Sequence, residues 1–320
     1  MSADPDALAW RERLAAMASS PWRTRFAPAP TGYLHLGHLV NAMHVWGIAR
    51  AYGGQVALRV EDHDRTRSRA EFEVALLDDL DWLGLEPDLF VPATFRHDPI
   101  SHPARQSNQG RRYADALRTL ASQGVVYACR CTRRDIERLV PHVAGEEPRY
   151  PGTCRDADVP AQESFARRVR LDPHPYGFDD VRLGAMTQTP AAQCGDLLVR
   201  DRHAQWTYQF AVTVDDIVHE IDVVIRGEDL LASTGRQRQL ADLLGRSRPL
   251  TFLHHTLLVH PDGRKLSKAS RDTSLRELRA GGATAAELFG VAAHRAGLLR
   301  APLSIAARDL AELFVSSTGR

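Results

Sequence analysis

The segment QVALRVED (55–62) constrains the fold most, because its apolar residues do not give way to polar ones at every second position. A strand of this kind is buried on both faces, the situation of an inner strand in a parallel sheet covered by helices. Its neighbours agree. A strand at about 23–27 is followed by a helix at about 36–52, in which Leu36, Leu39, Val40, Met43 and Ile48 recur at helical spacing and Gly53-Gly54 ends the run. After the second strand, FEVALLDDLDWLGL (72–85) reads as an amphipathic helix. Strand, helix, strand, helix predicts right-handed crossovers and an α/β fold.

That rhythm breaks near Asp98-Pro99. A helix at about 108–122 and the strand VVYAC lead into residues 129–160, where Cys, Pro, Gly and Arg dominate. Strand-like pieces RRVRL and DLLVRD follow, and an alternating apolar pattern occupies 206–226, ending in the strand DVVIRG. RQRQLADLLG reads as helix. Near the end, Thr284 and Glu287 form a capping box ahead of AAELFGVAAHRAGLL, and a final helix is expected at 305–315. Residues 4–19 read as a short surface helix. The expected organisation is an N-terminal extension (1–22), a sheet domain in two halves (23–97 and 195–275), an insert (98–194) and a C-terminal helical region (276–320).

Composition bounds function. Of 320 residues, 43% are hydrophobic and the formal net charge is +1, so a nucleic-acid surface would have to be a local arginine patch. No run reaches the length of a membrane span, and the start of the chain, with Asp4 and Asp6, does not read as a signal peptide. Cys129, Cys131 and Cys154 lie close together and Cys194 stands apart, which suits a reduced, cytoplasmic protein with a metal site better than a disulfide framework.

Two segments carry chemistry. In RFAPAPTGYLHLGH (25–38) a strand gives way to a helix, whose free N–H groups and positive dipole favour phosphate. His35 and His38 share a face of the first turn and can donate to phosphate oxygens, while Gly37 lets a flat base approach the backbone. Pro28 and Pro30 stiffen the loop. The second segment is KLSKA (265–269). Only two of the 41 Lys and Arg residues are lysine, and both, Lys265 and Lys268, are here. A compact charge on a flexible stem suits a loop that folds over a triphosphate.

His35-Leu36-Gly37-His38 and Lys265-Leu266-Ser267-Lys268-Ala269 resemble the two signature motifs of class I aminoacyl-tRNA synthetases. RFAPAPTGYLHLGH, RVEDHDRTR (59–67), YQFAVTVDD (208–216) and VIRGEDLL (224–231) more narrowly resemble the glutamyl subgroup. The resemblance implies a Rossmann-type catalytic domain that joins an amino acid to ATP, with Mg²⁺ accompanying the nucleotide. His35, His38, Lys265 and Lys268 would be catalytic, and Gly37 and Ser267 would join them in holding ATP. Arg25, Phe26, Ala27, Pro28, Ala29, Glu61, Tyr208 and Arg226 match the subgroup's amino-acid contacts. Glu61 can take an ammonium and the two arginines can pair with carboxylates, which favours L-glutamate as substrate; which arginine takes the side-chain carboxylate stays open. Asp215 and Asp216 could hold a ribose or the terminal adenosine, or cap a helix. Ala29 departs from the subgroup's usual serine, and Ala269 from a small polar residue.

Residues 270–320 are too few for the large anticodon-reading region of full glutamyl-tRNA synthetases. A shortened chain of this kind resembles the glutamyl-Q tRNA(Asp) synthetase family, which implies transfer of glutamate to the queuosine base in the anticodon of tRNA(Asp). It also implies a structural Zn²⁺, one per chain, on Cys129, Cys131, Tyr150 and Cys154. His142 or Glu146 could replace the tyrosine, and Cys194 is expected to be a core thiol. The chain is expected to act as a monomer. Competing readings are a glutamyl-tRNA synthetase without its anticodon domain and a non-catalytic tRNA-binding paralogue.

Overall fold

The computed structural model describes residues 10, 12–16, 21–141, 147–160, 162–258 and 273–315. In chain order the elements are β1 (Trp22–Phe26), α1 (Leu36–Ala51), β2 (Gly54–Leu58), α2 (Ala70–Leu83), α3 (Pro92–His97), α4 (Gly110–Ser122), β3 (Val126–Cys129) and α5 (Arg133–Leu139). Then come β4 (Ala166–Val169), β5 (Tyr176–Asp180), β6 (Gly184–Gln188), α6 (Pro190–Cys194), β7 (Leu197–Arg200), α7 (Tyr208–Val218) and β8 (Val223–Gly227). The chain continues through α8 (Thr234–Leu243), β9 (Thr251–His255), α9 (Leu275–Ala280), α10 (Ala285–Arg295) and a 3₁₀ turn at Ala307–Leu313.

The parallel sheet expected from the opening pattern is present. β1 pairs with β2, placing Phe26 opposite Leu58. β8 pairs with β9, placing Arg226 opposite His254. The two pairs meet where Asp222 N donates to Arg23 O (2.9 Å) and Arg23 N donates to the Asp222 carboxylate (3.0 Å). The loops at the C-terminal ends of β1 and β8 therefore open side by side, the usual place for a ligand in a sheet of this kind. A separate antiparallel sheet, β3-β4-β7, carries the cysteine-rich module. The hairpin β5–β6 falls within the range assigned to the insert, yet β5 runs parallel to β9 through the pair Asp180 and Phe252.

Helix α1 is the centre of the main core, buried at every position from Leu39 to Ala49 apart from Asn41. Its outer side receives the C-terminal region. A Cβ at Gly47 would lie 2.3 Å from the Phe314 ring, and Tyr52 donates to Phe314 O at 2.9 Å. The expected capping box of α10 is formed by Thr284 and Glu287.

Three local expectations are corrected. The stretch 206–226, read as an alternating apolar pattern ending in a strand, is mostly helix α7 ahead of β8, and α7 is buried on all sides from Phe210 to Asp216. A helix wetted on no face loses its 3.6-residue signal. The final helix expected at 305–315 is a 3₁₀ helix rather than an α-helix, confined to Ala307–Leu313. The N-terminal segment is not merely a surface helix, because Leu14 is wholly buried in the main core and Trp10 packs edge-on against Phe314.

Candidate active site

The helix that opens the site is capped by the two histidines themselves. His35 is the N-cap of α1, and its Nδ1 accepts from Gly37 N at 3.1 Å. The Nδ1 of His38 accepts from His35 N at 3.2 Å, closing a capping box, and the two rings lie 3.9 Å apart. In a neutral ring an accepting Nδ1 leaves the proton on Nε2. The caps therefore fix both imidazoles as Nε2–H donors beside a positive helix end, which suits a phosphoryl oxygen. Gly37 has a local reason as well: a Cβ there would lie 2.9 Å from the His35 ring.

Around this turn lies a cavity of about 770 Å³, lined by Arg25, Phe26, Ala27, Pro28, Ala29, His35, Gly37, His38, Glu61, Tyr208 and Arg226. Apart from Asp215 and Asp216, these are all the described residues that the sequence put forward for ATP and glutamate. Lys265, Ser267 and Lys268 lie outside the described residues, as do His142 and Glu146. Smaller hollows elsewhere, of about 610 and 530 Å³, do not gather these groups.

The two arginines differ. Arg25 Nε donates to Asp216 Oδ1 at 3.1 Å, and Arg59 Nη1 reaches the same oxygen at 2.7 Å. Burial pushes the Asp216 carboxyl up, but the guanidinium groups of Arg25 and Arg59 outweigh it and hold the carboxyl at about 2. Arg59 also donates to Glu61 Oε1 through Nη2 (2.9 Å), which fixes Glu61 at the cavity wall. Arg226 is bonded to neutral groups instead: Nε to His254 Nε2 (3.0 Å), Nη1 to Gln237 Oε1 (2.7 Å) and Nη2 to Thr234 Oγ1 (2.9 Å). Burial lowers Arg226 to about 10, only partly opposed by Tyr208. Burial beside Glu61 raises the Tyr208 phenol to about 12, so Tyr208 is a neutral hydrogen-bonding wall at neutral pH.

Asp215 and Asp216 do not line this cavity. Asp215 accepts from Gln106, Arg112 and Tyr113, at 2.9, 2.6 and 2.8 Å. Both aspartates are held in ion pairs that brace α7. Sequence reasoning named no role for Asn41, Asp229 or His255, which the cavity also includes. The signal for Asp229 was present in the GED that follows β8: a Cβ at Gly227 would lie 2.6 Å from Asp229 Oδ1, so the glycine lets that side chain fold inward.

The second site is in the insert. The Sγ atoms of Cys129, Cys131 and Cys154 all lie within 4.8 Å of one another, and those of Cys131 and Cys154 are 3.5 Å apart. Thiolates in a tetrahedron about 2.3 Å from zinc are roughly 3.8 Å apart, so the spacing fits. The Tyr150 hydroxyl is 3.4 Å from Cys129 Sγ and accepts from Cys154 N at 2.8 Å, which places an oxygen beside the three thiols. Tyr150 is fixed by its backbone N–H to Cys194 O (2.9 Å) and by the Arg168 guanidinium 3.7 Å from its ring centre. Cys194 is buried apart from the cluster, its thiol on Pro190 O at 3.3 Å, as a core residue would be.

Comparison with known proteins places this geometry. The family model for tRNA synthetases class I (E and Q), catalytic domain, matches residues 21–295. The glutamyl-Q tRNA(Asp) synthetase of Nitratidesulfovibrio vulgaris is 36% identical over 309 residues, covering 92% of this chain and 93% of that one. The glutamyl-Q tRNA(Asp) synthetase of Cupriavidus metallidurans is 41% identical over 257 residues, covering 79% and 78%. The glutamate–tRNA ligase 2 of Syntrophus aciditrophicus is 39% identical, and the match covers 82% of this chain but 55% of the ligase. Among solved structures, the glutamate-tRNA synthetase of Elizabethkingia anophelis superposes with a TM-score of 0.65 at 26% identity, over 82% of this chain and 54% of that one. Among the described residues no helix is long and apolar enough to cross a membrane.

Proposed function

The chain belongs to the class I tRNA synthetases of the glutamate and glutamine type, and from that premise we propose that it activates L-glutamate with ATP and transfers it to the queuosine base of tRNA(Asp). The observation that carries the reading is the single cavity that gathers Arg226, Glu61 and Tyr208 against the histidine-capped start of α1. Near end-to-end similarity to relatives named for glutamyl-Q tRNA(Asp) supports the acceptor.

Glu61 holds the substrate ammonium. Arg226 takes the side-chain carboxylate, because among the described residues its guanidinium hydrogen-bonds only neutral groups, whereas Arg25 is already paired with Asp216. Arg25, Phe26, Ala27, Pro28 and Ala29 form the floor of the pocket. An α-carboxylate oxygen attacks the α-phosphorus in line, the bond to the β-phosphate bridging oxygen breaks, and pyrophosphate leaves. His35 and His38 donate to phosphate oxygens, and Lys265, Ser267 and Lys268 meet the departing pyrophosphate. Catalysis here is positioning and charge stabilisation, without a protein nucleophile. A hydroxyl of the queuosine cyclopentene diol then attacks the acyl carbon, and AMP leaves.

Mg²⁺ would accompany the nucleotide. Cys129, Cys131, Tyr150 and Cys154 would hold Zn²⁺, which when bound cross-links a module with a small core of its own. The catalytic part comprises 23–97 and 195–275, and the insert presents the RNA. Glutamate-dependent exchange of pyrophosphate into ATP without any tRNA tests the first step. Absence of exchange under any condition supports a non-catalytic paralogue, and exchange that requires tRNA supports a glutamyl-tRNA synthetase.

A further inference from the structure

We infer that Asp180 and His254 form a positioning pair that aims the Arg226 guanidinium into the cavity while leaving its charge for the substrate. The inference rests on the reading that Arg226 takes a carboxylate of glutamate. It starts from one contact: Arg226 Nε is 3.0 Å from His254 Nε2. A guanidinium can only donate, so that imidazole nitrogen must carry the lone pair and the proton must sit on Nδ1. Nδ1 is 2.6 Å from Asp180 Oδ2. The same oxygen accepts from His254 N at 3.1 Å, and Oδ1 accepts from Arg182 N at 3.0 Å and Leu183 N at 2.8 Å. Every neighbour of Asp180 is a donor, and the ring is thereby held in one tautomer.

Burial makes this arrangement binding. His254 is 0% and Asp180 1% exposed, so water cannot replace a lost partner. Neither residue lines the cavity. Their effect passes through Arg226. A carboxylate bonded directly to Arg226 would compete with the substrate's carboxylate. An imidazole fixes the guanidinium plane without neutralising it, and Thr234 and Gln237 do the same at the other two nitrogens. Burial also lowers His254, consistent with a neutral ring. Asp180 belongs to the β5–β6 hairpin, and Arg182 from the same turn donates to His254 O at 2.6 Å, so the hairpin grips β9 at the residue that orients Arg226.

Nitrogen-15 NMR of histidine-labelled wild-type protein at neutral pH tests this without any variant. His254 should be neutral with its proton on Nδ1; a charged ring, or a proton on Nε2, overturns the proposal. Steady-state exchange assays supply the second measurement. His254→Gln puts an amide oxygen near the Nε2 position and should keep the Michaelis constant for glutamate near the wild-type value. His254→Leu should raise it roughly tenfold to a hundredfold, the range spanned by one lost hydrogen bond to a charged group, and leave that for ATP unchanged. Equal effects on both substrates, or equal losses in the two variants, overturn the positioning role. Arg226→Lys separates the two levels. If it leaves the glutamate constant unchanged, the assignment of Arg226 fails and takes the pair with it. If it raises that constant while His254→Leu does not, only the positioning pair fails.

Discussion

Gly195→Ala is the sharpest structural perturbation available outside the cavity. Gly195 has φ 69° and ψ −156°, a backbone region that is essentially confined to glycine. A Cβ there would lie 2.1 Å from the Tyr150 carbonyl oxygen, a backbone atom that no rotamer change can move. Strain of about 1–3 kcal/mol adds to overpacking of about 1–3 kcal/mol, for a loss of roughly 2–6 kcal/mol. At about 2–4 °C per kcal/mol for a unit of this size, melting should fall by roughly 5–20 °C. Relief of the clash requires Tyr150 to move, which takes its hydroxyl away from Cys129 and Cys154, so retained zinc should fall with stability. Gly124→Ala is the control: its φ is 73°, but nothing lies within 4 Å of a Cβ there, so only conformational strain applies. Thermal melting followed by circular dichroism, with a chelator-release zinc assay, reads both effects. The reasoning is refuted if Gly195→Ala melts no lower than Gly124→Ala and holds as much metal as wild type.

Lys268→Ala should lower the adenylation rate more than it raises the glutamate Michaelis constant, and Lys268→Arg should rescue poorly in the same exchange assay; full activity of the arginine variant would sink the role given to the two lysines. The double variant Cys129→Ser with Cys131→Ser should abolish zinc binding, at about one ion per chain in wild type, while Cys194→Ser keeps it; elemental analysis decides. Asp79 is buried on α2 with one carboxylate oxygen unpartnered, and burial raises it to about 6. A folded value above the unfolded one means that the folded chain binds the extra proton, so stability is full below about pH 4 and falls as pH rises toward 6. Asp79→Asn should therefore add about 1–2 kcal/mol above pH 6, after allowance for solvent screening, and nothing below pH 4 in urea melts; a constant difference across that window would contradict the assignment.

The parallel βαβ unit was legible because α1 and β2 obey simple rules: a helix closed by Gly53, then an apolar strand without alternation. The capping box of α10 was legible for a similar reason, since all its parts lie within four residues. The ion pairs of Asp215 and Asp216 were not, because Arg25, Arg59 and Arg112 are more than a hundred residues away in sequence. Paired carboxylates in a signature motif invite a ligand, and only the fold shows that they are already occupied. Separation in sequence, 74 residues, also hid the contact of Asp180, in the insert's range, with His254 on β9. The histidine signature was read from sequence as a phosphate face; its part in capping α1 and fixing both tautomers needed the fold.

The acceptor is the central claim, and one measurement addresses it directly. Periodate destroys the queuosine diol as well as the terminal ribose diol, so enzymatic removal of the 3′-terminal adenosine is the appropriate treatment. Queuosine-bearing tRNA(Asp) trimmed in this way should still accept labelled glutamate, and the same tRNA with guanosine in place of queuosine should not. Loss of charging on trimming, or efficient charging of tRNA(Glu) lacking queuosine, would contradict the account and make the protein a glutamyl-tRNA synthetase.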